Sequence, residues 1–449
     1  HSGENERLIF PAGGYNLKQL GTLSVQDCFD VAHSYWLEGA GMGMTNMYHA
    51  LSGGDGNHSL IEHTVTTSPH SRLFVLRDMT FNGNGKGTES EALHAINLGA
   101  DHIIIDNVEF TNFTDGLIRI VNSPKVVSIT NCRFVDLVAN EEESEKALIE
   151  LDNISSDDCL FIFKNNHVVG NPGSGDGSGQ RGVQVTPSAA TKNVRCIIRD
   201  NYFSGFGNQG AGGSAFGPGG AIRLDPGCHD SVISNNVCDN NVHTAIRVRS
   251  NNNVEISNNS IIGESSVLAS GDEVCGIAID SDAANSAGLT IIGNKIVGTA
   301  ETDLGILIEG DISGTDNSID GVTIADNVID GCENSLSIDR VMGKVDITHN
   351  EIKNSFSALL AYKDHRHAVY LNDLKGASQV NIVGNTFIGS VNSGGAIHWD
   401  RSIGTHTDSE GHVVLKDNFF SGMGRHASRS NGSKTSSDMA LVYIGGKVG

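Results

Sequence analysis

A short pattern, V-x-I-x-x-N-x-[FI], recurs along this chain and constrains its fold more than any other feature. It is read in the segments Val254 to Ile261, Val322 to Ile329, Val345 to Ile352, Val380 to Phe387 and Val413 to Phe420, and in Val127 to Phe134 with Cys132 at the Asn position. The Asn returns at 166, 201, 236, 259, 294, 327, 350, 385 and 418, at spacings of 35, 35, 23, 35, 33, 23, 35 and 33. Upstream, Met79, Val108 and Cys132 take its place, which makes twelve units.

A second strand signature lies between these segments. It includes Leu148-Ile-Glu-Leu-Asp152, Ala221-Ile-Arg-Leu-Asp225, Ala245-Ile-Arg-Val-Arg249, Gly276-Ile-Ala-Ile-Asp280, Gly305-Ile-Leu-Ile-Glu309, Ser335-Leu-Ser-Ile-Asp339, Ala368-Val-Tyr-Leu-Asn372 and Ala396-Ile-His-Trp-Asp400. Strict alternation turns the second and fourth residues inward and the third and fifth outward. Strands at a period of 20–35 residues, with no helical pattern between them, describe an all-β parallel solenoid. Each coil buries its apolar face only by stacking on its neighbours, about 4.8 Å apart. The expected fold is a single-stranded, right-handed parallel β-helix of about twelve coils. Residues 1–70 form an N-terminal cap and first coils, and 71–449 one continuous domain. The Asn column reads as an internal ladder whose amides bond coil to coil and whose backbone tolerates the left-handed region.

Composition agrees with this reading. The 449 residues include 55 Gly and only 18% charged residues, as many tight corners require. A net charge of −23 argues against a nucleic-acid partner, which needs a basic footprint. No apolar run is long enough to insert in a bilayer. The eight Cys form no C-x-x-C pair, and Cys132 and Cys238 stand at apolar repeat positions, where a thiol acts as a small hydrophobe.

Leu8-Ile-Phe-Pro-Ala-Gly-Gly-Tyr-Asn-Leu17 and Trp36-Leu-Glu-Gly-Ala-Gly-Met-Gly-Met-Thr45 resemble the entry segments of the pectate-lyase-like, right-handed parallel β-helix superfamily. That resemblance covers nearly the whole chain. It implies binding of a long carbohydrate and a secreted, cell-surface or virion-associated protein, monomeric or homotrimeric. The superfamily holds polysaccharide lyases, uronan C5-epimerases, glycoside hydrolases and tailspike depolymerases. Gly219-Gly-Ala-Ile-Arg-Leu224 is similar to a G-G-x-I-R stretch of the chondroitinase B and alginate lyase family. One rung later that family carries two calcium-binding Glu and a catalytic Lys; here the rung has no Glu, and Arg249 stands near the Lys position. The polygalacturonase motifs are absent.

The outward columns hold three constellations. Arg223, Arg247 and Arg249 are candidates for binding an anionic sugar, because guanidinium forks match carboxylate and sulfate. Lys363, His365, His367, Tyr370 and His398 are candidate catalytic groups, with Arg366, Asp400 and Arg401 as substrate-binding neighbours. His, Lys and Tyr supply the base and acid that β-elimination needs, while a cation neutralises the uronate carboxylate. Asp280, Glu309 and Asp339, on consecutive rungs, are the alternative for hydrolysis. Neighbouring rungs would set carboxylates about 5 Å apart and alternate rungs about 9–10 Å, near the retaining and inverting separations. The same trio could hold Ca2+ through oxygen ligands; the metal is otherwise left open. The expected function is degradation of an acidic, uronate-containing or sulfated polysaccharide by a lyase. A glycoside hydrolase, a uronan C5-epimerase and a non-catalytic carbohydrate-binding β-helix are the alternatives.

Overall fold

In the computed structural model the described residues are 6–17, 34–49, 61–63, 73–83, 95–113, 116–137, 147–170, 181–206, 220–241, 244–263, 275–281, 284–298, 304–310, 317–332, 334–354, 367–372, 374, 378–389, 396–400, 412–423 and 442–444. Every regular element among them is a β-strand. No helix among them is long and apolar enough to cross a membrane. The chain divides into two compact units. The first is His1–Ala211 with Pro218–Val237, and the second is Gly212–Gly217 with Cys238–Gly449.

Both units are parallel β-solenoids. In the first, Leu73–Asn82 pairs in parallel with His102–Thr111, and Val126–Thr130 continues the register onto Asp158–Lys164. Residues before 70 already follow the same geometry, since Glu6–Ile9 pairs with Tyr35–Glu38 and Gly13–Leu17 with Thr45–His49. In the second, Ile319–Ala325, Lys344–Thr348, Gln379–Val383 and His412–Lys416 stack in sequence. Within each unit the second signature forms a parallel sheet of its own, of six described strands in the first unit and seven in the second. These thirteen strands exceed the twelve expected units, because Ile61–His63 also joins the sheet of the first unit.

The Asn column is an internal ladder in each unit. Asn166 Nδ2 donates to Asn201 Oδ1 at 3.1 Å, and Asn201 Nδ2 to Asn236 Oδ1 at 2.9 Å. In the second unit Asn259, Asn294, Asn327, Asn350, Asn385 and Asn418 repeat the contact at 2.9–3.1 Å. Asn166, Asn201, Asn236, Asn294, Asn327, Asn350, Asn385 and Asn418 also donate to a backbone carbonyl, as Asn327 does to Ile291 O, which satisfies these buried polar groups. Cys132 ends the first ladder, its N–H donating to Asn166 Oδ1 at 2.9 Å.

The left-handed backbone belongs to a different residue than expected. The ladder Asn are not the positive-φ positions; the residue one earlier is. Asn165, Asp200, Asn235, Asn258, Asp326, His349 and Asp417 take φ of 54–59°, and Gly293 and Gly384 stand in the same column at 66–67°. This kink splits each pattern into two short strands, such as Lys344–Thr348 and Glu351–Asn354, and turns the next side chain into the core. Stacked apolar residues fill that core. Phe81, Phe110 and Phe134 stack at centroid spacings of 5.4 and 5.3 Å. Cys132, Cys159, Cys196, Cys228, Cys238 and Cys332 are buried free thiols.

Candidate functional site

The strand Val369–Asn372 buries Val369 and Leu371 and leaves Tyr370 and Asn372 on the outer face of the second sheet. Ile397–Asp400 pairs with it in register, so Tyr370 stands opposite His398 and Asn372 opposite Asp400. His367 lies just before the first of these strands, where its backbone N–H donates to Asn334 Oδ1 at 3.0 Å. This brings three sequence candidates together. His398 Nδ1 lies 2.8 Å from His367 Nε2, and the ring centroids are 4.4 Å apart. The Tyr370 ring is 5.3 Å from that of His398 and 6.5 Å from that of His367. His367 is 2% exposed and His398 6%, while Tyr370 is half-buried.

An N···N contact of 2.8 Å holds a single proton. One ring donates N–H and the other accepts, and a second proton between them would break the contact. Lys363, His365, Arg366 and Arg401 lie outside the described residues, as does the side chain of Asp400.

The acidic trio occupies one column, in register from Arg249 through Asp280, Glu309 and Asp339 to Asn372. Guanidinium groups attend it. Arg247 Nε donates to Asp280 Oδ2 at 2.9 Å, and Arg249 Nε lies 3.5 Å from Asp280 Oδ1. Arg340 Nη2 lies 3.5 Å from Glu309 Oε1 and 3.3 Å from Asp339 Oδ2. Asp280 is 0% exposed, and Arg247 and Arg249 are its ion-pair partners. Outward Ala278 and Leu307 beside it are buried too.

Arg223 belongs to the first unit and Arg247 and Arg249 to the second, each engaged within its own unit. Arg223 Nε donates to Asp225 Oδ1 at 2.8 Å. Gln184 Nε2 and Thr186 Oγ1 donate to the other oxygen at 3.0 and 2.9 Å.

Among the described residues no three His, Cys, Asp or Glu are grouped to hold a metal. Among the described residues the positive charge beside the acidic trio comes from Arg247, Arg249 and Arg340. Sequence reasoning missed Arg340. A signal was present: the residue after the outward fifth position is small, Asn, Asp or Pro on the other rungs, and Arg only at 340 and 401.

No family model matches the sequence, and no curated protein matches it. Solved structures do resemble it. The A-module of the Azotobacter vinelandii mannuronan C-5 epimerase AlgE6 is 14% identical, with a TM-score of 0.40 over 98% of this chain and 89% of that one. PfbA, a surface adhesin of Streptococcus pneumoniae, is 14% identical, with a TM-score of 0.46 over 93% of this chain and 84% of that one. A mannuronic acid specific polysaccharide family 6 lyase from human gut microbiota is 11% identical, with a TM-score of 0.41 over 99% of this chain and 87% of that one. These likenesses concern the fold alone.

Proposed function

We propose that the outer face around Tyr370 is the acid–base centre of an enzyme that cleaves an acidic polysaccharide by β-elimination. The observation that supports this reading is the 2.8 Å contact between His398 and His367 beside Tyr370. In β-elimination a base removes the proton on C5 and the freed electrons form the C4–C5 double bond. The C4–O bond then breaks, and the leaving oxygen takes a proton from an acid. Tyr370, the most exposed of the three, is the group nearest a ligand. The histidine pair stores the proton that moves. Lys363 and His365 precede His367 in the same charged run and remain candidates for the same chemistry, as do Arg366, Asp400 and Arg401 for substrate binding. A polysaccharide substrate implies a protein at work outside the cell, on a cell surface or on a virion.

The test is a panel of alginate, pectin, chondroitin, carrageenan, fucan and bacterial capsules. A lyase yields ultraviolet-absorbing unsaturated ends, and their absence with every glycan would sink the reading.

Hydrolysis is the second reading, favoured by Glu309 and Asp339, neighbours in register that share the Arg340 guanidinium. Neighbouring rungs are about 5 Å apart, near the separation of a retaining pair. New reducing ends without ultraviolet absorbance would select it. Unchanged chain length with altered uronate stereochemistry would indicate an epimerase, and binding without turnover a non-catalytic module.

A further inference from the structure

Among the described residues, every non-glycine position with positive φ except Arg340 is Asn, Asp, Ser or His. Short polar side chains tolerate that region because they hydrogen-bond locally, which a long aliphatic stem does not do. Arg340, at φ 52°, stands directly after the outward Asp339. The same corner on other rungs carries Asn122 at 71°, Asn153 at 53° and Ser250 at 49°. The conformation therefore belongs to the corner, while the residue at 340 is not one the corner favours. A strained residue kept beside reactive groups points to a role for its side chain.

The surroundings say what that role is. Arg340 N–H donates to Asn372 O at 3.2 Å, which ties this corner to the rung that carries Tyr370. Gly310 makes room for it, because a Cβ there would run into the Arg340 carbonyl oxygen. The ion pairs to Glu309 and Asp339, at 3.5 and 3.3 Å, are longer than the 2.7–2.9 Å of a close charge-assisted hydrogen bond. The side chain is 30% exposed, against 11% for Arg247 and 21% for Arg249. A counter-charge for the acidic column would explain any cation here. A lysine would also balance that charge; the planar guanidinium has further donors suited to a bidentate oxyanion.

We propose that Arg340 binds the anionic substituent, a carboxylate or a sulfate ester, of the sugar lying across the Tyr370 rung. This rests on the reading of that face as a polysaccharide site. Glu309 and Asp339 orient the guanidinium, and its fork selects acidic over neutral glycans.

The test uses the full chain and its Arg340→Asn and Arg340→Lys variants. Each is titrated by calorimetry with alginate and pectate oligosaccharides as carboxylate probes, carrageenan oligosaccharides as sulfate probes, and neutral dextran oligosaccharides. Arg340→Asn, the residue this corner carries at 153, should lose about tenfold or more in affinity for whichever anionic class the wild type binds. Its affinity for dextran should not change. Arg340→Lys, which keeps the charge without the fork, should fall between the two. Wild-type affinity for the anionic probes in both variants would overturn the role of Arg340 alone. If Arg340→Asn fails to fold, wild-type affinity in Arg340→Lys overturns it. No binding of any anionic probe by the wild type would instead overturn the polysaccharide reading, and this inference with it.

Discussion

Nδ1 of His398 lies 2.8 Å from Nε2 of His367, although the two residues are 31 positions apart in the chain. His367 ends the charged run 363–367, and His398 is the outward third residue of its strand signature. The coil between them returns the chain to the same face one rung on, and the rings meet there in a nearly solvent-free setting.

Replacing either histidine by alanine should lower the rate of unsaturated-product formation by about 10²–10⁴. The double variant should fall little further, because the two rings act as a unit. Rates on the best acidic glycan, with circular dichroism to confirm folding, check this. An undiminished rate in His398→Ala would remove the pair from the mechanism.

Asp280→Asn keeps the shape of the side chain but leaves Arg247 and Arg249 without their buried counter-charge. The expected loss is about 3–5 kcal/mol. Urea denaturation should place the midpoint well below that of the wild type. A change under about 1 kcal/mol would mean that water reaches the two guanidinium groups.

The ladder predicts a steep cost at its middle. Asn327 receives Asn294 Nδ2 at 3.0 Å, donates to Asn350 Oδ1 at 2.9 Å and reaches Ile291 O at 2.9 Å. Asn327→Ala strands several of these groups, at about 1–3 kcal/mol for each one left buried without a partner. Denaturation should show a larger loss than Asp326→Asn in the neighbouring corner, where the new residue also tolerates positive φ.

Burial pushes the thiols of Cys132, Cys159, Cys238 and Cys332 up to about 12, from an ordinary value of 9.0. Because all six described free cysteines are buried, iodoacetamide at pH 8 should label them only after denaturation. A group whose pKa is raised by folding contributes stability below its unfolded value and loses it as pH rises toward its folded value. Stability should accordingly decline between pH 9 and 12, measured as melting temperature across that window.

Much of this was legible in the chain. Strict alternation marked Val369 and Leu371 as inward and Tyr370 as outward, because a strand has a period of two. The Asn spacings placed Asp280, Glu309 and Asp339 on consecutive rungs, since each coil adds one strand per sheet. The kink was harder to place. Asn, Asp, Gly and His precede the ladder Asn, and that column was the signal for left-handed backbone that the more regular Asn obscured.

Sequence by itself determined the parallel solenoid, the two strand signatures and the membership of each outward column, because stacking translates a linear period directly into a register. It did not reveal that Asp280, Ala278 and Leu307 are closed off from water, that Arg340 serves Glu309 and Asp339, or that the His367 and His398 rings touch. Those facts depend on rotamers, on corner geometry and on what covers the outer face. All three are set by contacts between residues far apart in the chain, which no period along the sequence records.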